Sequence, residues 1–322
     1  EQTQRAVALD VLTLAADARK AYYSALAAAE MLRYTQQVQS AAEASAELAR
    51  RMAQVGNFNK LQQAREQAFY ADAALNTARA QQASVSARER LTRLMGLWGE
   101  HNQFVLPERL PDIPTALADR PEIERQALAQ RLDVLSDKFG AERMARNLGL
   151  TRRTRFINLL DLGVVRSASE TGRAQLGYEL TIELPLFDWG ESRIEKAEAF
   201  YMQAVNRAAY TAVNARSEVR EAYQAYRAAY DIARHYRDEV VPTAKRISEE
   251  NVLRYNGMLI GVFELLADAR AQITSVNGAI AARRDFWIAE ADLNMAMVGK
   301  PSLAQISNVS PTGSASGASG AH

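Results

Sequence analysis

Small and apolar residues recur every three or four positions over two very long stretches of the chain. The first stretch includes Val7, Val11, Leu14, Ala18, Ala21, Ala25, Ala28 and Leu32, and the second runs from about residue 189 to residue 256. The mean step is about 3.5 residues, the period of helices that pack side by side in a left-handed supercoil. The second stretch would reach roughly 100 Å as a helix, so it must run beside partner helices instead of folding into a compact core. Pro242 lies inside it, where we expect a kink and not a helix end.

The two stretches belong to an internal repeat with an offset of 201 residues. Arg19-Lys20-Ala21-Tyr22 matches Arg220-Glu221-Ala222-Tyr223, and the same offset carries Gly56 onto Gly257 without a gap. A further helical pattern follows each glycine, over 61–95 and over 263–298, and these patterns end at Gly96 and Gly299. Glycine relieves a helix end by adopting positive φ. The repeat therefore predicts two related helical hairpins, each turning at a glycine, with two unrelated hairpins as the alternative.

The seam between these helices consists largely of alanine. Alanine lets two helix backbones approach closely, but it buries little apolar area, and burial contributes only about 25 cal/mol per Å². A lone hairpin of this kind would be weakly held. A helix with neighbours on both sides, as in a closed ring of helices, could gather enough contact.

The residues between the two hairpins have a different character. Pro107, Pro111, Pro114 and Pro121 mark an irregular connector, and Asp119 is a candidate N-cap for a helix over 122–147. A β pattern follows, in which Leu176, Tyr178, Leu180, Ile182 and Leu184 alternate with Gly177, Glu179, Thr181 and Glu183. This period of two predicts a strand with one apolar and one polar face, and 156–166 is a second, less regular candidate.

The apolar row of the strand has two interpretations. About ten alternating residues suffice for a tilted strand to cross a bilayer with lipid on one face and a polar lumen on the other. The alternative is a soluble hairpin that packs its apolar face on helices. The long helices favour the first, because they offer no sheet for the hairpin to join, and barrel closure across several subunits would satisfy its edges.

We therefore predict a mainly α protein, with long antiparallel coiled-coil hairpins that form part of an α-barrel and one transmembrane-type β-hairpin. The predicted segments are a first helical hairpin (1–96), a Pro-rich connector with a short helix (97–153), the β-hairpin (154–187), a second helical hairpin (188–299) and a disordered tail (300–322).

Composition mainly removes other functions. The net charge is +1, with basic and acidic residues interspersed, which gives no reason to expect nucleic acid as a partner. There are no cysteines, so disulfides and thiolate metal sites are excluded. His101, His235 and His322 are isolated, and no phosphate loop or catalytic triad is evident. We expect no enzyme activity, no metal site and no cofactor.

Three segments resemble the TolC-like outer-membrane efflux family. The residues Leu184-Pro185-Leu186-Phe187-Asp188-Trp189-Gly190 resemble its strand-to-helix junction. The residues Arg254-Tyr255-Asn256-Gly257, followed by Phe263-Glu264-Leu265-Leu266-Ala267-Asp268-Ala269-Arg270, resemble its helix turn, and 256–270 incline towards its metal-efflux members. Arg131-Leu132-Asp133-Val134 is similar to its Arg-Pro-Asp-Val run, with Leu132 in place of the proline. The resemblance covers roughly residues 1–300.

The resemblance implies a homotrimer whose subunits share one β-barrel in the outer-membrane lipid and an α-helical tunnel across the periplasm. It also implies a periplasmic adaptor (membrane fusion) protein at the helix turns and an inner-membrane transporter beyond it. The expected adaptor-contact residues at the periplasmic tip are Val55, Gly56, Asn57, Phe58, Tyr255, Asn256, Gly257, Met258 and Leu259. Both glycines also have the simpler role of making the turn.

The resemblance also implies a gate and shows a departure. Family members have a ring of acidic residues past the second turn, and Glu264 and Asp268 lie one helical turn apart in that region, although slightly out of register; a solvated pair of surface acids is the alternative. Family members also begin with a further helical pair and a first β-hairpin. With one hairpin per chain, three chains would supply six strands, too few for an open barrel. We expect either a removed N-terminal part or a truncated relative.

The sequence thus predicts a passive exit duct for solutes, metal ions among them, in a tripartite efflux pump. The alternative is a periplasmic coiled-coil structural or adaptor protein without a pore.

Overall fold

A computed structural model of the chain describes residues 2–56, 58–117, 119–154, 159–168, 174–183, 190–257 and 259–300. Its helices are α1 (Gln2–Gln54), α2 (Lys60–Met95), α3 (Ile123–Gln130), α4 (Leu132–Arg153), α5 (Glu191–His235), α6 (Val241–Asn256) and α7 (Val262–Val298). Its strands are β1 (Leu159–Ala168) and β2 (Ala174–Glu183), and a short 3₁₀ turn spans Gly99–Asn102. The mainly α fold class with one β-hairpin is confirmed. The predicted disordered tail falls almost wholly outside the described residues.

Helices α1 and α2 form the first hairpin and pack along their length. The Ala-rich seam of α1 is buried, including Ala21, Ala25, Ala42 and Ala49, and α2 begins at a well-formed cap. The Asn59 side chain accepts the Gln62 backbone N–H, and the Gln62 side chain accepts the Asn59 N–H, each at 2.8 Å. This reciprocal pair satisfies two backbone donors at the helix start, which fixes where α2 begins.

Helices α5, α6 and α7 form the second hairpin. A π turn over Tyr236–Val240 joins α5 to α6, so one helical path runs from Glu191 to Asn256 and reaches roughly 100 Å. Pro242 therefore lies inside a helix, as predicted. The widened turn accommodates the proline, which has no N–H and whose ring would clash with the carbonyl four residues earlier in a regular helix.

The helix predicted over 122–147 is wrong in its cap and its continuity. Asp119 does not cap α3; its carboxylate accepts the Tyr223 hydroxyl at 2.9 Å instead. The helical run is interrupted at Arg131, whose backbone is extended with φ −61° and ψ 124°, and α4 then continues to Arg153. The interruption reflects tertiary contacts that a local pattern does not contain.

The buried guanidinium of Arg131 explains the interruption. Its Nε and Nη2 donate to the Asp133 carboxylate at 3.0 and 2.6 Å, and Nη2 also donates to Glu218 at 2.7 Å. Its Nη1 donates to the carbonyls of Ala215 on α5 and Ala296 on α7 at 3.4 and 3.3 Å. The side chain is only 1% exposed, so α3 and α4 are joined to both long helices through one fully engaged cation.

The core lies where α3 and the connector meet α1, α5 and α7. Val219 and Phe286 are completely buried there, together with Ile123 of α3. The connector contributes Leu110 and Ile113, both buried. Backbone groups hold it in place: the Trp287 indole donates to the Pro111 carbonyl at 3.0 Å, and the Tyr230 hydroxyl to the Thr115 carbonyl at 2.8 Å.

None of the helices in the described ranges is long and apolar enough to cross a membrane.

Candidate functional site

The two helix turns lie at the same end of the molecule. The Arg270 Nη2 of α7 lies 3.8 Å from the buried Glu66 carboxylate of α2, and its guanidinium lies 4.3 Å from the centre of the Phe69 ring. Glu66 follows the first turn by about three helical turns, and Arg270 follows the second turn similarly. The turns at Gly56 and Gly257 therefore share one end, which we call the tip.

At the first turn Gly56 has φ +81°, as predicted for a glycine that ends a helix. Its N–H donates to the Ala53 carbonyl at 3.2 Å, and the Phe58 N–H donates to the Met52 carbonyl at 3.3 Å. These bonds satisfy carbonyls at the end of α1. Asn57 lies outside the described residues.

At the second turn the predicted glycine geometry is wrong. Gly257 has φ −80°, a conformation open to any residue, and Gly299 at the end of α7 has φ −165°. The turn closes by ordinary backbone bonds instead: the Gly257 N–H donates to Leu253 and the Leu259 N–H to Arg254, each at 2.9 Å. The positive φ predicted at Gly96 is present, at +64°. Met258 lies outside the described residues.

The tip presents apolar side chains to solvent. Val55 is 71% exposed and Leu259 is 78% exposed, and Tyr255 is also exposed. Exposed apolar residues gathered at one end of a molecule are typical of a docking surface. The predicted adaptor contacts remain a prediction.

Of the two predicted gate residues, the structure describes the surroundings of one. Asp268 is half-buried, and its carboxylate accepts a hydrogen bond from the Asn251 side chain of α6. This bond holds α6 against α7 near the tip. The backbone of Glu264 lies in α7, and its side chain lies outside the described part of the chain.

The sequence analysis missed Glu66. Its side chain is 2% exposed, and the Ser45 hydroxyl of α1 donates to it at 2.9 Å. Together with Arg270 it ties α1, α2 and α7 to one another. A signal was present, because Glu66 stands seven residues before the buried Ala73 in the same seam, and a carboxylate on a buried stripe requires a partner.

Away from the tip, α3 is fastened to α5 by a second ionic group. The Nε atoms of Arg216 and Arg220 donate to the Glu124 carboxylate at 2.6 and 2.8 Å. These two hydrogen bonds, from Arg220 and then Arg216, lower the pKa of Glu124 to about 2. In the core, burial raises the pKa of Asp292, although Lys20 binds it at 3.0 Å and opposes that shift.

The β-hairpin lies at the end opposite the tip, because it is inserted between α4 and the first residue of α5. The antiparallel register pairs Leu162 with Leu180 and Val164 with Tyr178. All four are more than half exposed, between 59% and 86%. The neighbouring pairs, Asp161 with Thr181 and Gly163 with Glu179, take the other face.

The apolar row predicted on β2 thus has a matching row on β1, which the sequence analysis judged less regular. Of the remaining predicted row, Leu176 and Ile182 lie in β2 by their backbone, while their side chains and the whole of Leu184 lie outside the described residues. The result is a two-faced ribbon whose apolar face is uncovered in the single chain.

Comparison with known proteins gives no matching family and no matching curated protein. Solved structures do match. A membrane protein from Pseudomonas aeruginosa superposes with a TM-score of 0.79 at 21% identity, over 93% of this chain and 69% of that one. For CusC, described in connection with folding and transmembrane channel formation, the values are 0.72, 18%, 93% and 70%. For the open state of the Neisseria gonorrhoeae MtrE outer membrane channel they are 0.73, 20%, 92% and 68%.

The chain has the TolC-like channel fold. The resemblance first drawn from the strand junction, the helix turn and the run at Arg131 is therefore confirmed at the level of the fold. In the TolC-like fold the helical hairpins and the β-hairpin of this chain occupy about 70% of the length of each of these three structures.

Proposed function

We propose that this chain is a subunit of an outer-membrane channel that serves as the passive exit duct of a tripartite efflux pump. The observation that carries the proposal is the uncovered apolar face of the β-hairpin, placed at one end of a TolC-like fold. A two-stranded ribbon with such a face is marginal in water, whereas lipid would cover the face and neighbouring strands would satisfy its edges. The duct would lie in the bacterial outer membrane and periplasm.

The remaining partners follow from the same arrangement. The proposed assembly is a homotrimer, in which neighbouring subunits cover helix faces that a single chain leaves exposed, such as Val7, Val11 and Leu14 of α1. The exposed tip would bind a periplasmic adaptor protein, which links the duct to an inner-membrane transporter that supplies the energy. The duct itself performs no reaction, and metal ions are one proposed class of solute.

The test compares two neighbouring positions on β2. Leu180 lies on the apolar face, and Thr181, equally solvent-accessible in the single chain, lies on the polar face. An arginine on the lipid face near the bilayer midplane costs about 2–4 kcal/mol, whereas a lumen-facing arginine is tolerated. With the natural gene expressed in a Gram-negative host, Leu180→Arg should be lost from the outer-membrane fraction, while Thr181→Arg should remain there as a trimer.

The same pair distinguishes the rival function. A periplasmic coiled-coil protein without a pore would keep its hairpin in water, and both variants would then be soluble without detergent and correctly assembled. That result would overturn the proposed channel. Ion conductance of the purified trimer in a planar bilayer, retained in Thr181→Arg, is the direct measure of a pore.

A further inference from the structure

Burial in the second hairpin stops at the π turn. On α5 and its continuation into α6, Ala233 is the last buried residue before the tip, and on α7 the described side chains from residue 262 to residue 279 are not buried, the first buried one being Ile280. The first hairpin differs, since its corresponding half contains the buried residues Ala42, Ala49, Glu66 and Ala73. The second hairpin is therefore loosely packed between the π turn and the tip, a part that we call the arm (241–279).

The helix that leads into the arm is weakened at one place. The Val241 N–H donates to Tyr236, five residues earlier, and Pro242 comes next without any N–H. A proline and a π turn together replace regular bonds between residues four apart with a wider and less regular set. Sharp changes in helix direction concentrate at such sites.

The opposite helix is shaped to fit this place. A Cβ atom added at Gly278 of α7 would lie 2.7 Å from both Cε1 and the hydroxyl oxygen of Tyr236. The absence of a side chain at Gly278 thus lets the first residue of the π turn approach α7 closely. The closest approach of the two helices and the weakest point of one of them coincide.

Beyond this contact the two helices of the arm separate. A groove of about 410 Å³ opens between them immediately past the π turn, bordered by Glu239, Ala244, Ile247, Asp268 and Gln272. The bond between Asn251 and Asp268 spans the helices farther along, so the arm can move as one piece. Arg270 connects the arm to Glu66 of the first hairpin at 3.8 Å, a distance that leaves the contact easily broken.

We propose that Tyr236–Pro242, opposed by Gly278, is a hinge about which the arm swings relative to the buried core. Low packing density on one side and a rigid core on the other are the conditions for local motion at a hinge. The hinge would let the turn at Gly257 adjust its position while the turn at Gly56 stays fixed. The hinge is inferred from the contacts of this chain alone, whereas its use in docking an adaptor rests on the proposed function.

The chain has no cysteine, so introduced cysteines carry spin labels at chosen positions only. One pair joins Leu48 of the first hairpin to Leu253 of the arm, and the control pair joins Leu48 to Ile232 on the core side of the hinge. All three positions are more than half exposed. Trimers diluted with unlabelled chain report distances within one subunit. We expect a broad distance distribution for Leu48 with Leu253 and a narrow one for Leu48 with Ile232.

A straightened variant tests the cause. Deleting Asp238 and changing Pro242→Ala removes the extra residue and restores the N–H, so the side chains of α6 keep their orientation around a regular helix. The distribution for Leu48 with Leu253 should narrow to the width of the control pair, while Asp238→Ala, which retains the π turn, should leave it broad. Equal widths for the two pairs in the natural protein, or an unchanged width in the straightened variant, would overturn the hinge.

The Gly278 contact gives a second measurement if the straightened variant fails to fold. Gly278→Ala should displace the Tyr236 ring and change the mean distance between Leu48 and Leu253, and the double variant Gly278→Ala with Tyr236→Ala should restore it. No change in Gly278→Ala would contradict the role of this contact. These distances require neither transport nor an adaptor, so a failed conductance experiment would remove the proposed function and leave the hinge standing.

Discussion

Gly56 and Gly257 occupy matching positions in the repeat, but their backbones place different demands on the residue. At φ +81° a Cβ atom is strained against its own backbone even though no other atom lies within 4 Å. At Gly257, with φ −80°, a Cβ atom would meet the carbonyls of Arg254 and Leu253 at an ordinary 3.5 Å. One glycine is required by its conformation, and the other is not.

Gly56→Ala should therefore destabilise the protein by about 1 kcal/mol, and Gly257→Ala should have little effect. The paired variants serve as each other's control, because both lie in exposed turns at the same end. Thermal unfolding of each purified variant measures the difference. Equal shifts in Tm for the two would show that the turns are conformationally equivalent.

At the scale of elements, the long helices and the strands were predictable and the short ones were not. A period maintained over more than thirty residues defines α2 and α7 to within one residue, because many independent positions agree. The break at Arg131 depends on two carboxylates and two carbonyls from distant parts of the chain, and a local pattern cannot contain them. The buried Glu66 and the backbone of Gly257 were missed for the same reason.

The attachment of α3 to α5 should depend on pH through Glu124. Because its pKa falls from the ordinary carboxyl value to about 2 on folding, its stabilising effect is complete above the unfolded-state pKa of about 4.3. The effect is lost as the pH falls from there towards 2. The Tm difference between the natural protein and Glu124→Gln should accordingly be constant near neutrality and shrink below about pH 4.3.

Glu122→Gln is the matched control, since that carboxylate meets only the exposed Arg125, at 3.4 Å on the surface. Exposed pairs of this kind contribute about 0–1 kcal/mol. If the Tm difference for Glu124→Gln stayed constant down to pH 2, the two arginines would not hold the carboxylate as the geometry indicates.

At the scale of the whole molecule, the two ends have opposite surfaces to satisfy. One end carries the apolar ribbon, and the other carries the exposed side chains of Val55 and Leu259, with roughly 100 Å of helix between them. A change at one end should therefore leave the other end intact. This separation allows membrane insertion and adaptor binding to be tested independently.

In the proposed duct, Val55→Asp combined with Leu259→Asp should reduce recovery of the adaptor with the purified channel at least tenfold, while trimer and membrane insertion persist. Charged side chains on a docking surface oppose its desolvation. Leu75→Asp, at an exposed site midway along α2, is the control and should bind adaptor normally. Normal recovery of the adaptor with the double variant would place the adaptor elsewhere on the molecule.

The seam that repeats every seven residues also restricts how the gene of such a protein can change in length. One inserted residue turns every later side chain of an α-helix by about 100°, and it would move the alanines of α5 out of contact with α7. Insertions and deletions are thus compatible with the seam in steps of seven, made in both helices of a hairpin together. The π turn is the exception, because it holds a single additional residue without rotating the later turns of the helix, and it marks where an odd-length change has already been accommodated.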